Sequence, residues 1–258
     1  MKAQLISEFR KAVTLRSTPW LILALVVGGA AMCAVLSTAA VGSMSPIDVD
    51  SARGVSILYN LPVAMGAVIP LALGVTIVTA EHHHGTMILT YLGRPRRWRV
   101  FVSKLVLSAA GGAVMAVAAM AVAAGVVAVV LHRGTGRTYL DDATVQRTLL
   151  GSVVAVVLWA VIGTGLGAAI ANQTLAIVGV LGFTVFLEPF LRIIAGTRYA
   201  SVAQFLPGSA SDSLAGGSIL GAALDVSASS QGRGGVILAG YAVVFALVGY
   251  ARTRSSEL

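Results

Sequence analysis

Charge-free apolar blocks set the pattern of this chain. Five stretches hold no Asp, Glu, Lys or Arg: 31 residues between Arg16 and Asp48, 27 between Arg53 and Glu81, 28 between Lys104 and Arg133, 40 between Arg147 and Glu188, and 18 between Arg233 and Arg252. A helix needs about 20 residues to cross about 30 Å of hydrocarbon. The 40-residue stretch would make a helix of about 60 Å, and Asn172-Gln173 interrupts it near its middle, so it reads as two spans joined by a tight hairpin. The pattern thus predicts six spans, near residues 20–41, 56–80, 103–131, 149–171, 174–195 and 234–251.

Between the spans the chain is short on polar material. In residues 2–17, Leu5, Phe9 and Val13 recur every four residues while Lys2, Glu8, Arg10, Lys11 and Arg16 take other faces. This predicts an amphipathic helix on the cytoplasmic membrane surface, with Pro19 allowing a bend into the first span; the plainer alternative is an unstructured basic tail. Segments 42–55 and 132–148 read as short external loops. Segment 196–233 is longer and rich in Gly, Ser and Ala, with apolar pieces at 202–206 and 218–224 too short to span, which predicts small re-entrant or interfacial helices on the outer side. The whole of 1–258 reads as a single transmembrane domain.

Composition excludes the main rivals to a membrane chain. Hydrophobic residues are 57%, Gly adds 29 residues, charged residues are 11% and mean hydropathy is +0.90. A chain this size cannot bury that much apolar surface in one water-soluble core, which rules out a soluble enzyme or nucleic-acid binder. The first apolar run is longer than a signal-peptide core and follows a polar segment, so it reads as an anchor that stays.

The net charge of +8 has a topological cause. The N-terminal segment, the 81–104 loop and the C-terminal segment hold 11 Lys and Arg, against 7 on the other side. Subtracting acidic residues leaves +8 on the first side and zero on the second. Basic residues are retained in the cytoplasm, so both termini are expected there, and no nucleic acid is needed to explain the charge. The one cysteine, Cys33, lies inside an apolar run and offers neither a disulfide nor a thiolate metal cluster.

The densest polar information lies in the second cytoplasmic loop: Glu81, His82, His83, His84, Gly85 and Thr86, an apolar piece at 87–92, then Gly93, Arg94, Pro95, Arg96, Arg97, Trp98 and Arg99, with Lys104 opening the third span. Adjacent helical side chains point about 100° apart, so the three histidines cannot converge on one ion as an i, i+4 pair would; a polar, partner-facing surface is the better reading, and no metal is expected. The apolar piece between two polar clusters predicts a short helix along the cytoplasmic face, bounded by Gly and Pro.

The series Glu81, Gly85-Thr86, Pro95 with Arg96-Arg97, and Lys104, behind a basic amphipathic N-terminus and one pair of spans, resembles the membrane subunit of ABC exporters of the type-2 permease family. The resemblance extends to span count and loop plan over the chain, and its specific motif covers residues 81 to 104. It implies a coupling helix between spans 2 and 3 that docks in a groove of a separate ATPase, with Glu81, Gly85, Thr86, Pro95, Arg97 and Lys104 at the matching positions. It also implies two permease copies, identical or homologous, around a shared pathway in a bacterial plasma membrane, and two ABC ATPase subunits that bind ATP and Mg. The His run departs from that pattern. No G-x-x-x-x-G-K-[S/T] phosphate loop occurs in the chain, so any P-loop ATP hydrolysis belongs to a partner, and the chain itself is expected to be neither an enzyme nor a cofactor carrier.

Two further constellations stand apart from this loop. Glu188 and Arg192 are i, i+4 and can pair, Pro189 beside Glu188 denies the helix its own N–H donor, and ionisable groups at membrane depth default to functional hypotheses. Counted from Thr174, Glu188 comes after only about 21 to 22 Å, which places the pair toward the outer rim, with a structural role there weighed against gating or substrate contact. Gly163 and Gly167 lie four apart on one face and permit close helix approach, by internal packing or at a dimer or moving interface. An ion-gradient-driven secondary transporter, or a membrane scaffold without transport, are the competing functions. The former would show internal repeats, broken helices and ionisable residues at the midplane; the sequence shows no convincing repeat, and only Glu188 and Arg192 are candidates for the last.

Overall fold

The computed structural model describes residues 17–45, 47–83, 97–170, 172–198, 200–219 and 230–255. Among them all regular structure is helical. The elements are α1 (Ser17–Val41), α2 (Ala52–Tyr59), α3 (Leu61–Gly66), α4 (Val68–His83), α5 (Arg97–Thr135), α6 (Ala143–Ile170) and α7 (Gln173–Leu181). A π-helical segment (Gly182–Leu187) leads into α8 (Glu188–Arg198), followed by α9 (Ala200–Ala203), α10 (Pro207–Leu214) and α11 (Gln231–Ser255). Five runs are long and apolar enough to cross a membrane: Thr18–Val41, Trp98–Thr135, Ala143–Ile170, Gln173–Ile194 and Gln231–Ser255. The chain is a multi-pass helical protein by that measure.

The expected second span, 56–80, is not one helix. It is split into α2, α3 and α4, and its apolar part in α4, Val68–Thr79, is shorter than a crossing. Two prolines explain the breaks. Pro62 and Pro70 have no N–H for the carbonyls of Leu58 and Gly66, four residues earlier, and their rings crowd those same carbonyls. The chain gives way at Asn60 and Ala67, just ahead of each proline.

The 40-residue stretch divides where its polar pair stands. α6 ends at Ile170, and Asn172 caps α7, its side chain accepting from the Leu175 N–H at 3.0 Å.

α6 is the central helix, with α4, α5 and α11 packed along it. At one end of the bundle the 42–51 and 136–142 turns meet: the Tyr139 hydroxyl donates to the Asp50 carbonyl at 2.9 Å and the Tyr59 hydroxyl to the Thr138 carbonyl at 2.8 Å. At the other end Val78, Phe101 and Ala168 cluster with Ala246 and Tyr250. The broken run α2–α3–α4 therefore leads from the first end to the second, as α5 and α6 do between the same ends. The amphipathic segment expected at 2–17 lies outside the described residues except for Ser17, which opens α1.

Candidate functional site

The turn before Pro189 winds as a π-helix, with the Glu188 N–H bonded to the carbonyl of Phe183, five residues back. Pro189 cannot donate to Val185, and a widened turn relieves both the missing bond and the ring clash. The consequence is local: Glu188 is carried inward and is 1% exposed.

Around Glu188 a buried ion network forms. Arg192 donates through Nε at 3.2 Å and Nη2 at 2.7 Å to Glu188 Oε1, and through Nη1 at 2.7 Å to Asp212 Oδ2. Glu188 Oε1 also accepts the Ser209 N–H at 3.0 Å, which ties the first turn of α10 to α8. Gly208 lies against the pair so closely that a Cβ there would strike Arg192 and Glu188. Removing either carboxylate would leave a cation buried without full compensation, which is what makes such networks expensive to break.

α10 is pulled into the bundle on its other faces too. The Trp159 Nε1–H donates to Ser211 Oγ at 3.0 Å. Beyond its C-terminus Gly216 and Gly217 take positive φ of 89° and 132°, and the chain turns so that the Ala215 and Gly217 carbonyls accept from Asn60 Nδ2. Gly151 on α6 and Gly234 on α11 admit the α10 backbone at distances a Cβ would forbid. Segment 196–233 thus holds a short helix seated among α3, α6 and α11 rather than resting on a surface.

Depth follows from Trp159. It lies 16 residues into the 28-residue α6, ~24 Å from its start, so Ser211 and the ion network stand near the middle of that helix. Glu188 comes 15 residues after the start of α7, about 22 Å along, and α10 enters the bundle to meet it and Arg192.

Two cavities open here. One, of about 240 Å³, is lined by Trp159, Thr184, Glu188, Arg192, Ser211 and Asp212, with Val63 and Ala67 from the broken run. The other, of about 270 Å³, is apolar and walled by Trp159, Val180, Phe183, Thr184, Tyr241 and Phe245. Trp159 and Thr184 belong to both.

Of the residues singled out in the sequence, Glu188 and Arg192 lie in this site. Lys104 lies at the opposite end of the bundle, 5% exposed, its Nζ donating to the Ile77 carbonyl at 3.2 Å. Glu81 sits in the last turn of α4 and Arg97 opens α5, while Gly85, Thr86 and Pro95 lie outside the described residues. His82 and His83 continue α4, and His84 lies outside. Among the described residues no group of three His, Cys, Asp or Glu could hold a metal. Gly163 and Gly167 face α4 of the same chain: a Cβ on Gly163 would strike the Leu71 carbonyl, and one on Gly167 would come to 3.0 Å from Val75 Cα.

Asp212, Asn60, Ser211 and Trp159 were not legible as site residues. Asp212 carried the best signal, an acidic residue four positions after the Pro207-Gly208 pair in an otherwise uncharged stretch from Tyr199 to Leu224. Asn60 two residues before Pro62 in an apolar block was the next. No protein-family model and no curated protein matches this chain.

Proposed function

We propose that the chain is the membrane-spanning permease subunit of an ATP-driven ABC exporter, crossing a bacterial plasma membrane six times with both termini in the cytoplasm. Two copies, or this chain with a homologous permease, form the substrate pathway, and two separate ATPase subunits bind at the end that carries the 81–104 loop. The observation that carries a transport role is the charged recess at mid-bundle beside an apolar cleft. Ionisable groups at that depth are costly, and an anchor for α10 alone could be built from apolar side chains at less expense. The ATP-driven part of the reading rests on the 81–104 series and on the lack of a phosphate loop.

A gradient-driven transporter is the second reading, favoured by the broken α2–α3–α4 run and by the ion network beside a π-helical turn. Affinity purification of the tagged chain from its own cells in mild detergent separates the two. The exporter reading expects a stoichiometric P-loop ATPase, vanadate-sensitive ATP hydrolysis in the eluate, and loss of both when residues 81–97 are scrambled. A folded chain that brings down no ATPase, yet moves solute in liposomes under an ion gradient alone, would replace it with the second reading.

A further inference from the structure

We propose that the paired cavities bind an amphipathic organic cation, with its charge at Asp212 and Glu188 and its apolar body against Trp159, Phe183, Tyr241 and Phe245. This names the substrate class of the permease reading and rests on it.

Three observations converge. First, the charged cavity is unbalanced: among the described residues lining it are two carboxylates and one guanidinium, so it holds one negative charge in excess. Arg192 already divides its donors between the two acids. A cation entering the recess would therefore meet net attraction, and an anion net repulsion, strengthened by low local dielectric. Arg192 and Asp212 keep 13% and 16% of their side chains accessible, whereas Glu188 keeps 2%, so Asp212 is the acid a ligand would reach first.

Second, the neighbouring cleft is aromatic. Trp159, Phe183, Tyr241 and Phe245 line it, the Tyr241 and Phe245 rings are stacked with centroids 6.4 Å apart, and such a wall suits the apolar or aromatic body of a guest whose charge lies next door. Third, size fits. Each cavity alone is small for a drug-like molecule, but the two meet at Trp159 and Thr184, and their volumes together fall within the common range of ligand sites, roughly 300–1,000 Å³. A charged head in one and an apolar body in the other uses both.

The test compares two molecules with one apolar body and heads of opposite charge. Binding of tritiated 4-phenylbutyltrimethylammonium is measured on the full chain in phosphatidylcholine nanodiscs, with 4-phenylbutanesulfonate as competitor. Saturable binding of the cation is expected, with no matching competition by the anion. Asp212→Asn should weaken it about tenfold, as expected when a charged partner is lost. Gly179→Leu should weaken it by a similar factor, because Gly179 lines the apolar cleft, which a bulky side chain there would narrow, and a Cβ at that position meets nothing within 4 Å. Leu also favours a helix over Gly, which protects folding in that variant. Equal competition by 4-phenylbutanesulfonate, or binding indifferent to Gly179→Leu, would overturn the proposal even if Asp212→Asn did not fold. Binding is read on the chain alone, so its failure leaves ATPase co-purification standing, and a missing ATPase leaves the binding result standing.

Discussion

Pro62 has no N–H to offer the carbonyl of Leu58, and the thiol of Cys33 on α1 lies 3.5 Å from that oxygen as a weak donor in its place. The same economy of close fit governs the glycines. Gly163 on α6 meets the Leu71 carbonyl, and Gly74 on α4 reciprocally meets the Ala160 carbonyl, so α4 and α6 approach backbone to backbone. Gly163→Ala should therefore destabilise the protein by about 1–3 kcal/mol, the usual range for forced overpacking. Gly240→Ala in α11, where a Cβ meets nothing within 4 Å, should be neutral or stabilise by roughly 0.5–1 kcal/mol. Unfolding in detergent, followed by circular dichroism against temperature, checks both; equal effects at the two positions would contradict the close α4–α6 contact. The four-residue spacing of Gly163 and Gly167 was visible in the sequence. Their partner was not, because small residues on a helix face say that something approaches and nothing about what.

At the scale of elements, α10 depends on what the chain turn beyond it can do. Asn60, fully buried at the break between α2 and α3, supplies Nδ2 to the Ala215 and Gly217 carbonyls, so one side chain joins two segments 155 or more residues apart. Asn60→Ala would leave both carbonyls without that donor, a loss of about 1–3 kcal/mol for buried polar groups. Limited proteolysis in detergent should then cut within residues 204–219 faster than in the parent, while the rest of the bundle keeps its protection; unchanged cleavage would show that α10 is held without Asn60, by its ties to Trp159, Glu188 and Arg192. The long helices were legible because a bilayer demands uninterrupted apolar length, and Asn172 marked its hairpin because a polar side chain must find a backbone donor. The breaks at Asn60 and Ala67 were readable only in part. Pro62 and Pro70 were there to be counted, but an apolar block of 27 residues looks like one span until the prolines are set against the carbonyls they crowd. Pro189 marked a fault in the helix without saying that the turn before it would widen, and the inward seat of α10 depends on residues that meet only in three dimensions, such as Glu188 and Ser209.

The whole molecule has two ends of different character, and their orientation decides where a motor could act. One end gathers the 42–51 and 136–142 turns. The other brings Val78, Phe101 and Ala168 together with Tyr250, and Lys104 lies among the same helix ends. The basic excess belongs to this second end in the sequence, so the second end should face the cytoplasm and the first the exterior. The chain is well suited to a thiol-labelling test, because its one cysteine, Cys33, is buried at 0% exposure and should stay silent. Met44→Cys and Asp141→Cys should react with a membrane-impermeant maleimide in intact cells. Gln173→Cys and Ser255→Cys should react only after the membrane is permeabilised. The inverse pattern would place the 81–104 loop outside, where no cytoplasmic ATPase could reach it, and would remove the exporter reading at once. Disagreement between Met44→Cys and Asp141→Cys would instead mean that just one of the two, the run from Ala52 to His83 or α5, crosses, since an odd number of crossings puts those two turns on opposite sides. The expected pattern would put the charged recess between the two faces, with α10 entering from the exterior and the loop after α4 waiting on the cytoplasmic side.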